Sequence, residues 1–295
     1  MMNNLNVTAD RPAVTTADQT MTLGRSLVQH GRASDRVYLM AVADQDMPDL
    51  LTTLDELARE NRYGKIFAKV PARWRRQCVA AGYRVEAEVP GFYGGEENGL
   101  FLGKYLEKER RKTSEDADIQ AVLELCRRAA EAPTQPGVAG ENGSYQTRLC
   151  TRADTPAMAE LFRRVFSSYP FPVHDPAFLR QTMNQQVVYA GAWQGEELAA
   201  LASAEFSPQA AHAEMTDFAT APEHRRRQLA GRLLSKLEQE MSTRGIRVAY
   251  TIARAVSAGV NLTFAKAGYR HAGTLINNTQ ICGRIESMNI WYRRL

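Results

Sequence analysis

The sequence predicts an α/β protein built as two domains. Strand-length apolar runs alternate with amphipathic helical repeats over the first 112 residues, and the same alternation resumes at Tyr145. Between them, Pro133–Ser144 is dense in proline and glycine, the composition of a linker. A length of 295 residues suits two domains or one large one, and 44% hydrophobic with 24% charged residues is ordinary for chains that build globular cores.

Composition also narrows the function. A net charge of +4 is too mild to require nucleic acid, although it suits a small polyanionic ligand. Cys78, Cys126, Cys150 and Cys282 contain no C-x-x-C pair, and His30, His174, His212, His224 and His271 have no metal-ligand spacing, so neither a metal site nor a disulfide framework is expected. Met1–Thr22 is polar and lacks the basic start and apolar centre of a signal peptide, so it reads as a disordered leader. No run approaches the length of a membrane span, and a reduced, cytoplasmic protein is the expectation.

In the first domain, 23–112, Val37–Val42 reads as a buried strand. Asp46–Asn61 follows as a helix, with Leu50, Leu51, Leu54, Leu57 and Ala58 on one face. Lys65–Val70 is a strand, Pro71–Ala81 a short helix, and Gly82–Val89 and Gly99–Leu106 are two further strands about the turn Pro90–Gly95. The segment 113–144 holds a helix that Ser114 can cap, with Ile119, Val122, Leu123, Leu125 and Cys126 as its stripe, and then the linker.

The second domain, 145–295, opens with the strand Tyr145–Cys150 and a helix with Pro156 at its start and Met158, Leu161, Phe162 and Val165 on its apolar face. An aromatic, proline-rich loop, 167–175, precedes the helix Pro176–Met183. Val187–Trp193 and Leu198–Phe206 form a hairpin about Gln194-Gly195. Met215–Thr220 is the next strand, and after a break at Ala221–Glu223 a helix carries Leu229, Leu233, Leu234 and Leu237. Ile246–Ala253, Ser257–Ala267, Tyr269–Leu275 and Met288–Arg293 read as strand, helix, strand, strand. The run Ala81-Gly-Tyr-Arg84 echoes Ala267-Gly-Tyr-Arg270 at a nearly constant interval from the preceding strand, so the first domain reads as a partial repeat of the second.

Arg225, Arg226 and Arg227 sit where the Leu229 helix begins. Cations there oppose the helix dipole by roughly 0.3–1 kcal/mol each when exposed, unless an anion occupies the free N–H groups of the first turn. A solvated basic turn is the plain alternative.

With its context, this turn resembles the fingerprint of the GCN5-related N-acetyltransferase (GNAT) family, Q/R-x-x-G-x-G/A between a strand and a helix. Here it reads Arg225-Arg-Arg-Gln-Leu-Ala230, with Gln228 in place of the usual glycine and Arg226 at a position that is often glycine. The order of elements from Tyr145 onward and the ending Asn261–Tyr269 also resemble the family. The resemblance implies a mixed, mostly antiparallel central sheet flanked by helices. Tyr63–Pro71, Pro90–Glu96, Ala249–Asn261, Gly273–Gly283 and Glu286–Tyr292 are similar to the branch that acetylates the side-chain amine of β-lysine, making a compatible solute.

The family's site implies acetyl-CoA as donor, with pantetheine on the main chain of Phe218, Ala219 and Thr220 and pyrophosphate on Arg225, Arg226, Arg227, Gln228, Leu229, Ala230 and Gly231. Asn261 and Phe264 fall where relatives also meet the cofactor. An ammonium must lose a proton before attacking a thioester. Glu214 and Asp217 are the candidate bases, expected on opposite faces of a regular strand. Phe264 replaces the family's tyrosine acid, leaving water, Tyr250 or Tyr269. Tyr169, Arg254, Asn277, Asn278 and Glu286 are candidate substrate contacts, with Arg254 for a carboxylate. Another amine (a polyamine, lysine or an aminoglycoside) and a non-catalytic acyl-CoA-binding module are the alternatives. The partners expected are acetyl-CoA and a small amine, with no nucleic acid and no membrane; a homodimer is allowed.

Overall fold

The computed structural model describes residues 18–131, 145–167, 169, 171–281 and 283–295. The expected linker, apart from its preceding helix, lies outside the described residues, as does most of the leader. Part of the expected leader, Gln19–Leu23, is a strand, β1, paired antiparallel with β2 (Ser26–Gly31). Neither strand was legible as a regular apolar run.

The first unit continues with β3 (Arg36–Ala41), α1 (Leu50–Glu60), β4 (Lys65–Pro71), α2 (Arg75–Ala80), β5 (Arg84–Tyr93) and β6 (Glu97–Tyr105). Then come α3 (Asp116–Glu131), β7 (Gln146–Leu149), α4 (Thr155–Val165) and α5 (Pro176–Thr182). The second unit is β8 (Val187–Gln194), β9 (Glu197–Ser207), β10 (His212–Thr220), α6 (Leu229–Thr243), β11 (Val248–Arg254), α7 (Ala258–Lys266), β12 (Arg270–Ile281) and β13 (Arg284–Arg294). All form one 13-stranded sheet in the order β1-β2-β3-β4-β6-β5-β12-β13-β11-β10-β9-β8-β7.

The internal echo extends further than the Gly-Tyr-Arg segments. In each unit three antiparallel strands lead through a helix to a strand parallel to the third (β3 with β4, β10 with β11), and a second helix leads to a closing hairpin. The two units therefore share a topology, and they join edge to edge through equivalent strands, β5 and β12. Where the second unit carries its three arginines, the first has an acidic turn. Asp44 accepts from Arg73 and Trp74, and Asp46 accepts from the Arg25 N–H and the Ser26 hydroxyl.

Strand alternation fixes which faces meet. Val37, Leu39, Ile66, Ala68 and Val70 turn toward Leu50, Leu51, Leu54 and Ala58 of α1 in one core. Tyr38, Phe67 and Phe101 turn the other way and pack against Tyr250, Leu275, Met288 and Ile290 of the second unit. The opposite face of the second unit, including Ala213, Met215, Ala249 and Trp291, packs against α3, α6 and α7. A fourth core joins α4 and α5 to β8 and β9.

At the joint, Gly273 pairs with Ala87, and a Cβ on Gly273 would lie 2.0 Å from the Glu86 carbonyl oxygen at a φ of +148°. Buried Lys65 donates to Glu86 at 2.8 Å and to the Ile276 carbonyl at 2.7 Å across the same seam. Gly273→Ala should therefore cost stability on the scale of core overpacking, about 1–3 kcal/mol. Thermal unfolding monitored by circular dichroism checks this; an unchanged Tm would mean the seam tolerates separation.

Candidate active site

β10 pairs with β9 on one side along its length, but with β11 only at His212–Glu214 opposite Val248–Tyr250. Beyond that point the two parallel strands part. Main-chain groups of β10 from Met215 onward are thus left without a β11 partner, on the segment holding Phe218, Ala219 and Thr220. Buried main-chain donors and acceptors rarely go unmatched, so an open edge at this point suits an extended polar ligand.

The turn beyond β10 is shaped for an anion. Arg226 and Gln228 have φ of 62° and 58°. These are the two fingerprint positions at which glycine is usual or frequent. The left-handed backbone explains that preference, since a side chain there costs roughly 1–2 kcal/mol. α6 has no side-chain N-cap and no acidic residue in its first turn, and its first helical bond runs from the Arg232 N–H to the Gln228 carbonyl at 3.2 Å. The N–H groups of Leu229, Ala230 and Gly231 consequently have no partner within the helix. Arg225, Arg226, Arg227 and Gln228 are exposed around them. These features fit the diphosphate and pantetheine of coenzyme A. If the strain is local, Gln228→Gly should leave stability unchanged or raise it by up to about 1 kcal/mol, after allowing for glycine's greater freedom when unfolded. It should not weaken coenzyme A binding. Denaturant unfolding and calorimetry test both points, and a loss of either would show that the glutamine side chain itself is needed.

Glu214 and Asp217 do not lie on opposite faces as a regular strand would place them. A bulge between Thr216 and Ala219, with Asp217 at φ 54°, turns Asp217 onto the face of Glu214 and Ser203. Asp217 is fully engaged there. It accepts from the Tyr169 hydroxyl at 2.6 Å and from Ser203 at 2.6 Å, which hold the carboxylate in place although burial raises its pKa.

Glu214 is differently placed. It accepts from the Tyr250 hydroxyl at 2.9 Å, and Tyr250 in turn accepts from the Lys69 ammonium at 3.1 Å. Some of its surface is open to the cleft, yet the packed atoms around it desolvate the carboxylate and push its pKa up to about 7. Lys69 and the Tyr250 bond oppose that rise, and Glu205 and Asp217 add to it. Glu205 stands directly across from Glu214 on β9 and is exposed. Burial disfavours the Lys69 charge, but the Tyr250 and Tyr38 hydroxyls and Glu214 hold its pKa above that of an ordinary lysine. The result is a half-open carboxylate able to take a proton near neutral pH, beside further negative charge that attracts a cation.

The remaining sequence candidates divide. Asn261 is structural: its amide donates to the Arg254 and Ser257 carbonyls and accepts from Asn289 and Trp291, which uses all its capacity. Phe264 is fully buried edge-on to Phe218 and Tyr269, so it is core and presents no surface to a cofactor. Asn277 ties β12 to the first unit, donating to the Arg110 and Lys112 carbonyls. Arg254 donates to Glu286 at 2.7 Å, so its charge is already paired. Tyr169 reaches the site through Asp217, while Asn278 and Glu286 are buried on the seam with Asn278 Oδ1 and Glu286 Oε2 unpartnered.

Lys69, Tyr38, Ser203 and Glu205 also gather around Glu214, Tyr250 and Asp217, and none was among the sequence candidates. Lys69 had a visible signal, since it recurs with Lys65 on one face of an otherwise apolar strand, which a solvated face does not explain. At the foot of the turn Glu197, Glu223 and His224 approach one another, with Arg164 pairing with both carboxylates. Among the described residues no helix is long and apolar enough to cross a membrane.

An open strand edge that runs into an uncapped, cationic helix start offers main-chain and charged donors to an extended polyanionic ligand. Comparison with known proteins agrees. The acetyltransferase (GNAT) family model matches residues 155–269. A β-lysine N6-acetyltransferase of Methanococcus maripaludis is 30% identical over 276 residues, 94% of this chain and 98% of the relative. The N-acetyltransferase YodP of Bacillus subtilis is 35% identical over 85% of this chain and 88% of its own. A β-lysine N6-acetyltransferase of Methanosarcina mazei is 30% identical over 84% of this chain and 97% of its own. Among solved structures, an N-acetyltransferase from Staphylococcus aureus aligns with a TM-score of 0.45 at 16% identity, over 51% of this chain and 98% of its own. The chain belongs to the GNAT family of acetyltransferases, and it is an N-acetyltransferase.

Proposed function

We propose that the protein transfers the acetyl group of acetyl-CoA to the side-chain amine of β-lysine, giving N6-acetyl-β-lysine. Support for the substrate comes from the relatives of that name, which align over nearly the full length of both units. The observation that carries the reading is Glu214, a carboxylate with a pKa near 7 on the strand that also offers the open edge.

Acetyl-CoA supplies the activated acyl group. In this reading the edge at Phe218–Thr220 holds its arm, and the N–H groups of Leu229–Gly231 with Arg225–Arg227 hold its phosphates. Glu205 and Glu214 attract the acceptor's ammonium. Glu214 then removes a proton from it, directly or through one water; the neutral amine attacks the thioester carbon, the carbon–sulfur bond breaks, and coenzyme A leaves as a thiolate that takes up a proton from water as the new amide nitrogen loses its own. Asp217, held by Tyr169 and Ser203, keeps the bulge in shape and adds negative potential. Lys69 holds Tyr250 against Glu214 and limits the rise of its pKa.

Following thiol release from acetyl-CoA with β-lysine, α-lysine and polyamines tests the reaction. Release with β-lysine at the highest kcat/KM is expected; release with another amine and none with β-lysine would overturn the substrate. A base must be ionised to work, so kcat/KM should rise through about pH 7 as Glu214 loses its proton. Glu214→Gln should abolish that limb and lower kcat by roughly 10²–10⁴. Lys69→Met removes a cation that depresses the Glu214 pKa, so the limb should move to higher pH. A limb unmoved in both variants would exclude Glu214 as the base. Arg226→Glu with Arg227→Glu should raise the KM for acetyl-CoA more than it lowers kcat, because these contacts bind the cofactor without entering the chemistry.

A further inference from the structure

Arg36 is a further buried residue of the first unit that reaches across to the second. Its side chain lies on the face of β3 that also carries Tyr38, and it is only 4% exposed. Nη1 donates to the Asn278 carbonyl and to the Thr279 hydroxyl, both at 2.7 Å. Nε is buried without a partner. No carboxylate lies within ion-pair distance among the described residues; Asp18 and Glu214 act on it only through space. The contrast with its surroundings is sharp. Lys65 pairs with Glu86, Arg110 with Asp35 and Arg254 with Glu286. The guanidinium also lies over the Tyr38 ring at 4.9 Å and the Phe67 ring at 5.7 Å, which offsets part of its desolvation, but no anion pairs with it among the described residues, and a ligand carboxylate would.

Chemistry of the opposite kind sits next to it. Asn278 is 1% exposed, and its Nδ2 donates to the same Thr279 hydroxyl that Arg36 uses, while its Oδ1 has no partner. Thr279 pairs across β12 and β13 with Glu286, which places Glu286 on the same face, with its Oε2 also unpartnered. One unmatched cationic donor beside unmatched acceptors is the pattern that an amino-acid head group satisfies. Along β3, Arg36 and Tyr38 are two residues apart, about 6.6 Å, and the Tyr38 ring lies 5.4 Å from the Lys69 ammonium that contacts Tyr250. Arg36 also feels the charge of Glu214 through space.

We propose that Arg36 binds the carboxylate of the acceptor and that Asn278 Oδ1 accepts a hydrogen bond from the neighbouring ammonium, so that the first unit reads the amino-acid end while the second unit acetylates the far amine. This rests on the acetyltransferase reading with a small amino-acid acceptor.

The test compares β-lysine with its carboxamide, which keeps both amines and loses the negative charge. Wild-type enzyme should prefer the acid by roughly ten- to a hundredfold in kcat/KM, the cost of leaving a buried charge unpaired, chiefly through KM. Arg36→Met should remove that preference by weakening only the acid, and Arg36→Lys should retain part of it. Equal use of acid and amide by the wild-type enzyme overturns the proposal and needs no variant to fold. An Arg36→Met enzyme that loses activity on both compounds equally also overturns it, since a structural role would do the same. Turnover of neither compound by the wild-type enzyme, with another amine accepted, overturns the β-lysine reading beneath it.

Discussion

The packing of the first unit's inner face against the second unit's inner face is the constraint on which the site depends. Glu214 is pushed toward neutrality by burial, and that burial exists because Tyr38, Phe67 and Phe101 cover Tyr250 and its neighbours. The same packing brings Lys69 to the Tyr250 hydroxyl. Two units of one topology, joined through equivalent strands, thus divide the work. One carries the arginine turn; the other has an acidic turn in its place and brings Lys69 to the Tyr250 hydroxyl beside Glu214.

Three of the eight non-glycine residues with positive φ among the described residues lie on β10 and the turn after it. β10 carries a bulge with Asp217 in the left-handed region, and the loop after it carries Arg226 and Gln228 in the same region. Each such residue costs on the order of 1–3 kcal/mol and persists only when its surroundings hold it. Asp217 is held by two short hydrogen bonds, while Arg226 and Gln228 have no side-chain anchor of that kind. Their conformation aims successive N–H groups outward, which is what an anionic ligand needs.

Much of the fold was legible because its signals are local. The stripe Leu229, Leu233, Leu234 and Leu237 marks α6 by spacing alone, and the alternation of Val37, Leu39, Ile66 and Ala68 with larger polar or aromatic residues marks β3 and β4. β1 and β2 were not legible: Gln19–Leu23 is an exposed edge strand, and Ser26–Gly31 mixes polar and apolar residues without a clean period. Asn261 shows the opposite failure. Its motif looks like a ligand site, but four partners that converge only in the folded chain use up its amide.

By itself the sequence determined the helices, most strands and the family, since each is written in contiguous runs whose periodicity or motif needs no distant partner. The tertiary structure alone decided that Glu214 and Asp217 share a face, because a one-residue bulge reverses the alternation that any regular strand would impose. It also decided that Lys69 meets the Tyr250 hydroxyl and that Arg36 meets the Asn278 carbonyl. Their contacts cross from one unit to the other, at separations of 181 and 242 residues, and such contacts are set by how two sheet faces pack.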